Sequence, residues 1–199
     1  MNTTTAYRIS AVFHPLFLNL WGFMLLFATV PSLHRYPTQA VWLIAGLFAL
    51  STVVLPLLAV ALLRLNRVVN SMQLETQQER KLPLLITSLL YVSVYYLFER
   101  LRLDMVVLRY VLAASSVIIF VSLVNNFYKI SLHAAGVGAL LGFVFALSRV
   151  TSVDVRWLFA MLCIAGGWVL SARLFAGSHN KAQLLYGLLG GFVLMWLVF

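Results

Sequence analysis

Residues 105–124, MVVLRYVLAASSVIIFVSLV, followed by NNFYK at 125–129 and ISLHAAGVGALLGFVFAL at 130–147, decide the fold. The first run is as long as the ~20 residues that an α-helix needs to cross a bilayer. Its only charged residue is Arg109, five residues in. Five mostly polar residues turn the chain, and a second apolar run of similar length returns. Two adjacent crossings with a short polar connection are the mark of a polytopic membrane helix bundle, because lipid leaves every backbone polar group to be satisfied within its own helix.

The rest of the chain repeats this pattern. Apolar runs cover residues 9–30, 40–63, 83–98, 105–124, 130–147 and 155–174, and a last one reaches from Ala182 and Gln183 to residue 199. Pro83 suits the first turn of a helix, so the third span is expected to open there. The sequence therefore predicts an all-α transmembrane bundle of six to seven spans, with all 199 residues in a single membrane domain. Composition agrees: 63% of residues are hydrophobic and 10% charged, against roughly 25% charged in a soluble domain. Mean hydropathy is +0.99. The net charge of +9 comes from Lys and Arg scattered over the loops. No basic stripe forms, so nucleic acid is excluded as a partner, and snorkelling toward membrane lipids accounts for most of these cations. Cys163, the one cysteine, allows neither a disulfide nor a cysteine metal site and reads as a small core residue. The polar N-terminus carries no cleavage site and is read as staying with the first helix. Glycines at 138 and 142 and at 187, 190 and 191 fall on close helical positions and predict tight packing.

Ionisable residues at a membrane are costly unless paired, wet or used. They gather in three segments: RLNRVVNSMQLETQQERK at 64–81, KISLHAAG at 129–136 and SARLFAGSHNKAQ at 171–183. An even number of crossings separates each from the next, so all three share one face. The first segment also leaves room for a short interfacial helix around Val68, Val69, Met72 and Leu74. Together the segments place His133 and His179 beside Arg80, Arg173 and Lys129, with a hydroxyl at Ser131. That combination suits a phosphate: cations clamp its oxygens, one imidazole attacks phosphorus and the other protonates the leaving oxygen. His14 and His34 read as head-group or backbone partners, Tyr91, Tyr95 and Tyr96 as an interfacial belt or packing surface, and Arg109 as a partner of Asp104 or lipid.

The segments resemble the type 2 phosphatidic acid phosphatase superfamily, whose motifs read Lys-x6-Arg-Pro, Pro-Ser-Gly-His and Ser-Arg-x5-His-x3-Asp. RLFAGSHNKAQLLYGLLGG at 173–191 is similar to the third, with the family's Arg-to-His interval, and Ser131-Leu132-His133 to the second. ERKLP at 79–83 keeps only a basic residue and a proline of the first. Ala172 separates Ser171 from Arg173, and Gln183 stands where the family has aspartate. The likeness covers roughly residues 71–191. It implies that His179 is the nucleophile and forms a phosphohistidine, with His133 as general acid. It also implies that Arg173, Ser131 and Arg80 hold the phosphate, with no metal and no cofactor. In the family the aspartate orients the histidine; Gln183 offers the hydrogen bond without the charge.

The expected function is that of a lipid-phosphate or polyprenyl-diphosphate phosphatase, with a lipid phosphate as substrate, in a multi-pass protein of a bacterial inner membrane. Two other readings accompany it: a protein of the same fold that binds anionic lipid without turning it over, and a small transporter or assembly subunit. The absence of repeated halves counts against the last. Positive-inside counting puts the motif face in the cytoplasm, but removing Arg80, Lys129 and Arg173 from the count balances the two faces. Oligomeric state has no signature in the sequence.

Overall fold

A computed structural model describes residues 12–74, 76–151 and 153–199, and among these the chain is all-helical with no strand. Seven helices follow one another: α1 Pro15–Thr29, α2 Thr38–Leu65, α3 Gln77–Arg100, α4 Met105–Asn125, α5 Leu132–Val150, α6 Arg156–Phe175 and α7 Lys181–Val198. The last six are long and apolar enough to cross a membrane, which fits a multi-pass integral membrane protein. α1 is shorter, and the expected start of its span at residues 9–11 lies outside the described residues. His14 and Pro15 begin this helix: the proline occupies its first position and the imidazole caps it.

Two helix boundaries differ from expectation for local reasons. α3 opens at Gln77, before Pro83, because Thr76 and Glu79 form a capping box in which each side chain accepts from the other residue's backbone N–H, both at 3.3 Å. Residues 77–81 therefore open a crossing helix, and the interfacial helix expected around Val68, Val69, Met72 and Leu74 does not form, since residues 66–74 run as turns and bends. Within α2, Leu50–Val54 widens into a π turn just ahead of Pro56. A proline ring crowds the carbonyl four residues back and offers no N–H to it, so the wider turn absorbs the mismatch.

α5 is the centre of the bundle: 61% of its membrane window is buried, against 17% for α6, which packs on one side only. Cys163, expected in the core, is exposed on α6. α5 and α7 lie with their backbones touching. A methyl group at Gly138 or Gly142 would strike the carbonyls of Leu188 or Phe192, and one at Gly191 would strike that of Ala135. Lipid tails are as apolar as leucine, so such backbone approach, and not hydrophobic burial, holds membrane helices together. The contact also brings the starts of α5 and α7 side by side, where Ser131 N–H donates to the Gln183 carbonyl at 3.3 Å.

The alternating path leaves the connections 66–76, 126–131 and 176–180, with the start of α1, at one end of the bundle. At the other end Arg35 pairs with Asp104 at 2.9 Å, which takes the first of the two partners expected for Arg109 and leaves lipid as the other.

Candidate functional site

Each residue of the site is set by a local backbone device. Arg173 stands in the last turn of α6, and the helix closes in a Schellman turn. Gly177 takes a left-handed backbone (φ 64°), its N–H donates to Leu174 at 3.1 Å, and Ser178 N–H donates to the Arg173 carbonyl at 3.3 Å. His179 is the next residue. The five-residue interval between Arg173 and His179 is thus the length of a helix end plus its cap.

Asn180 then caps α7. Its side chain accepts from Gln183 N–H at 2.9 Å, and Gln183 Oε1 accepts from Asn180 N–H at 3.3 Å. Because a backbone N–H can only donate, the Gln183 atom there is the oxygen. That same oxygen lies 2.9 Å from His179 Nδ1, so Nδ1 carries the proton and Nε2 keeps its lone pair. His179 is 6% exposed. Burial lowers its pKa to about 4, partly opposed by the hydrogen bond to Gln183, and Arg80, Arg173 and Lys129 push it further down. At neutral pH the ring is uncharged and nucleophilic.

Arg80 projects from the first turn of α3 and is buried. Its Nε donates to the Leu74 carbonyl at 2.7 Å and one terminal nitrogen to the Ile130 carbonyl at 3.2 Å. It ties the 66–76 connection to the start of α5, with Leu74 bent to φ 50° to reach it. A guanidinium has five N–H donors, so this tether leaves others to face an anion. Nearby, the side chains of Gln77 and Asn125 each donate to the other's backbone carbonyl, at 2.7 and 3.0 Å, and join α3 to α4.

His133 lies in the first turn of α5 and lines the same cavity as Arg80, Arg173 and His179. Lys129 is half-buried in the connection before it, near enough to act on His179. Ser131 is placed differently from its expected role: it is fully buried as the N-cap of α5, its hydroxyl accepting from Ala134 N–H at 3.4 Å, and it does not line the cavity. Glu79 is occupied by Asn70 and Thr76 backbone N–H groups, and Glu75 lies outside the described residues. Among the described residues no group of three or more His, Cys, Asp or Glu is placed to hold a metal.

Sequence reasoning read His14 as a head-group or backbone partner and kept it out of the site. It lines the cavity, and its ring centre is 5.6 Å from that of His133, edge to face. Its Nδ1 accepts from Leu16 N–H at 3.4 Å, so the proton sits on Nε2, the tautomer opposite to that of His179. Burial and then Arg173 lower its pKa. The available signal was the His-Pro pair, an N-cap followed by the favoured first residue of a helix. Of the two readings for Tyr91, packing is the one that holds: it is buried deep in the bundle, where Asn19 Nδ2 donates to its hydroxyl at 2.9 Å.

The cavity joins these two levels. About 200 Å³ in volume, it carries His14, Arg80, His133, Arg173 and His179 toward the connection end and runs between largely apolar walls to Asn19, Tyr91, Tyr110 and Met195. Compared with the models of known families, with characterised proteins and with solved structures, the chain matches none.

Proposed function

We propose that this chain is a lipid-phosphate phosphatase-like membrane protein in which His179 attacks a phosphoryl group held at the cavity mouth. One observation carries the reading: an uncharged His179, its lone pair on Nε2, surrounded by Arg80, Arg173 and Lys129 where polar connections meet an apolar cavity. Cations that depress one imidazole also attract a phosphate dianion and stabilise the charge that spreads over its oxygens during transfer.

In the first step the Nε2 lone pair forms a bond to phosphorus, the bond from phosphorus to the lipid oxygen breaks, and His133 gives that oxygen a proton. In the second, His133 takes a proton from water, the water oxygen attacks phosphorus, and the bond to Nε2 breaks. The sum is phosphate ester plus water giving lipid alcohol and inorganic phosphate. Gln183 holds Nδ1–H throughout and fixes the ring's orientation, as a carboxylate does in other histidine pairs, but without supplying negative charge.

The test is phosphate release from a panel of lipid phosphates by the purified chain and by its His179→Ala variant. Release from the native chain, lost by a factor of ~100 or more in the variant, supports the reading; equal release from both sinks it. The neutral partner at Gln183 favours a second reading, in which the same site binds anionic lipid without turnover. Binding with no release from either protein selects that one.

A further inference from the structure

We infer that the cavity is a tail site for one lipid chain, closed at its inner end by Asn19, Tyr91 and Tyr110, so that the ligand is a single-chain phosphate monoester no longer than about one leaflet. The inference rests on the phosphate reading of the mouth and adds what lies behind it.

Depth is the first argument. Arg80 at the mouth and Tyr91 at the inner end both belong to α3 and both line the cavity. Eleven residues at a rise of 1.5 Å put them ~16 Å apart, about half of a hydrocarbon core of ~30 Å. α4 gives the same measure, since Val121 and Tyr110 line the cavity and are also eleven residues apart. A volume of about 200 Å³ drawn out over that length is slender. Its narrowness favours one chain over the paired chains of a diacyl lipid, and its floor stops a polyprenyl tail longer than a leaflet.

The inner end is the second argument. Tyr110 Oη donates to the Asn19 carbonyl at 2.7 Å, and Asn19 donates to Tyr91 at 2.9 Å, which locks side chains from α1, α3 and α4 together. Tyr110 is 1% exposed and packs edge to face on Phe143 and Phe23. Removing any of these hydroxyls from its partners in an apolar surrounding costs a hydrogen bond, so the floor resists deformation by a longer chain. Between mouth and floor the walls are apolar, with Leu84, Val117, Ile118, Ala139 and Leu140 among them.

Access is the third. Leu57, in the last third of α2, and Met72, in the connection after it, line the cavity and are also 40% and 37% exposed. The cavity therefore opens sideways beside the second half of α2, which lets a tail slide in from the surrounding lipid while its phosphate stays with Arg80, His133, Arg173 and His179.

The experiment uses dodecyl phosphate with a diazirine at the far end of the chain, photolysed with the full chain in phospholipid vesicles, and peptide mapping of the adducts. Adducts on Tyr91, Tyr110 or Met195, displaced by excess dodecyl phosphate but not by diacyl or long polyprenyl phosphates, are the expected result. Adducts confined to outward residues such as Leu85 and Leu89, or floor adducts that a diacyl phosphate displaces equally well, overturn the inference. The variant Ala139→Phe, which plugs the cavity partway, should lose the floor adducts; persistence of the native pattern there also counts against it. Floor adducts without phosphate release defeat the phosphatase reading and leave the tail site standing. Release accompanied only by outward adducts does the reverse.

Discussion

Gln183 uses one oxygen for two purposes, closing the capping box of α7 and fixing the His179 tautomer. The informative substitution is Gln183→Glu, which keeps reach and acceptor and adds charge; aspartate is a methylene short of Asn180. A carboxylate at Nδ1 favours the imidazolium, so the acid limb of activity should move up from about 4, and turnover above that limb should rise about tenfold or more. A pH–rate profile reads both, and an unmoved limb contradicts the assignment. Stability follows the same group. With the folded pKa at about 4 and the ordinary value at 6.5, the unfolded chain binds more protons between them. The contribution of His179 is therefore full above about 6.5 and is lost as pH falls toward about 4, a trend that a thermal-unfolding series reports. At His14, both Asn and Asp preserve the N-cap. His14→Asn should leave phosphate binding close to native, whereas His14→Asp should weaken it at least about tenfold with Tm unchanged, because its carboxylate faces Arg173 and the bound anion. Equal binding by the two variants would mean that His14 only caps a helix. Most of these residues were legible from type and spacing alone. His14 does meet a backbone N–H, as its type suggested, but its place in the cavity wall was not legible, and the cap at Ser131 went unrecognised because a cap is defined by which backbone N–H it meets.

Helices α5, α6 and α7 set His133, Arg173 and His179, and two of their features make the site rigid. Gly177→Ala puts a side chain on a left-handed residue, which costs ~1–2 kcal/mol and loosens the turn that delivers His179. Turnover should fall more steeply than Tm in this variant. Gly191→Ala drives a methyl into the Ala135 carbonyl and separates α5 from α7; destabilisation of ~1–3 kcal/mol is expected. Gly46→Ala, where nothing lies within 4 Å of the added methyl, is the control and should unfold at the native temperature or above. If Gly191→Ala and Gly46→Ala melt together, the α5–α7 contact does not hold the bundle. The apolar runs and the close-set glycines marked these helices in the sequence, as their length and spacing require. What the runs did not reveal is where α3 begins: Pro83 was a plausible first residue, and only the reciprocal bonds between Thr76 and Glu79 displaced it. α6 was also less buried than an apolar run suggests, since hydropathy does not distinguish a lipid-facing helix from a core one.

Across the molecule, the parity of crossings does the gathering. Segments some fifty residues apart in the chain meet because each helix pair returns the backbone to the same end, and this is legible in the sequence alone. The cavity was not. Its walls come from helices remote in sequence, and residues such as Asn19, Tyr110 and Met195 carry no sign in the sequence that they face a common space. The amphipathic shape that results, cations at the mouth and apolar walls behind, is what the proposed reaction of a lipid phosphate at His179 requires. The most direct test is to stop turnover of a phosphorus-labelled single-chain alkyl phosphate in alkali, where a phosphohistidine survives, and to map the labelled residue by mass spectrometry. The account predicts transient label on His179 that is absent from His179→Ala. Steady phosphate release with no label on His179 would contradict it.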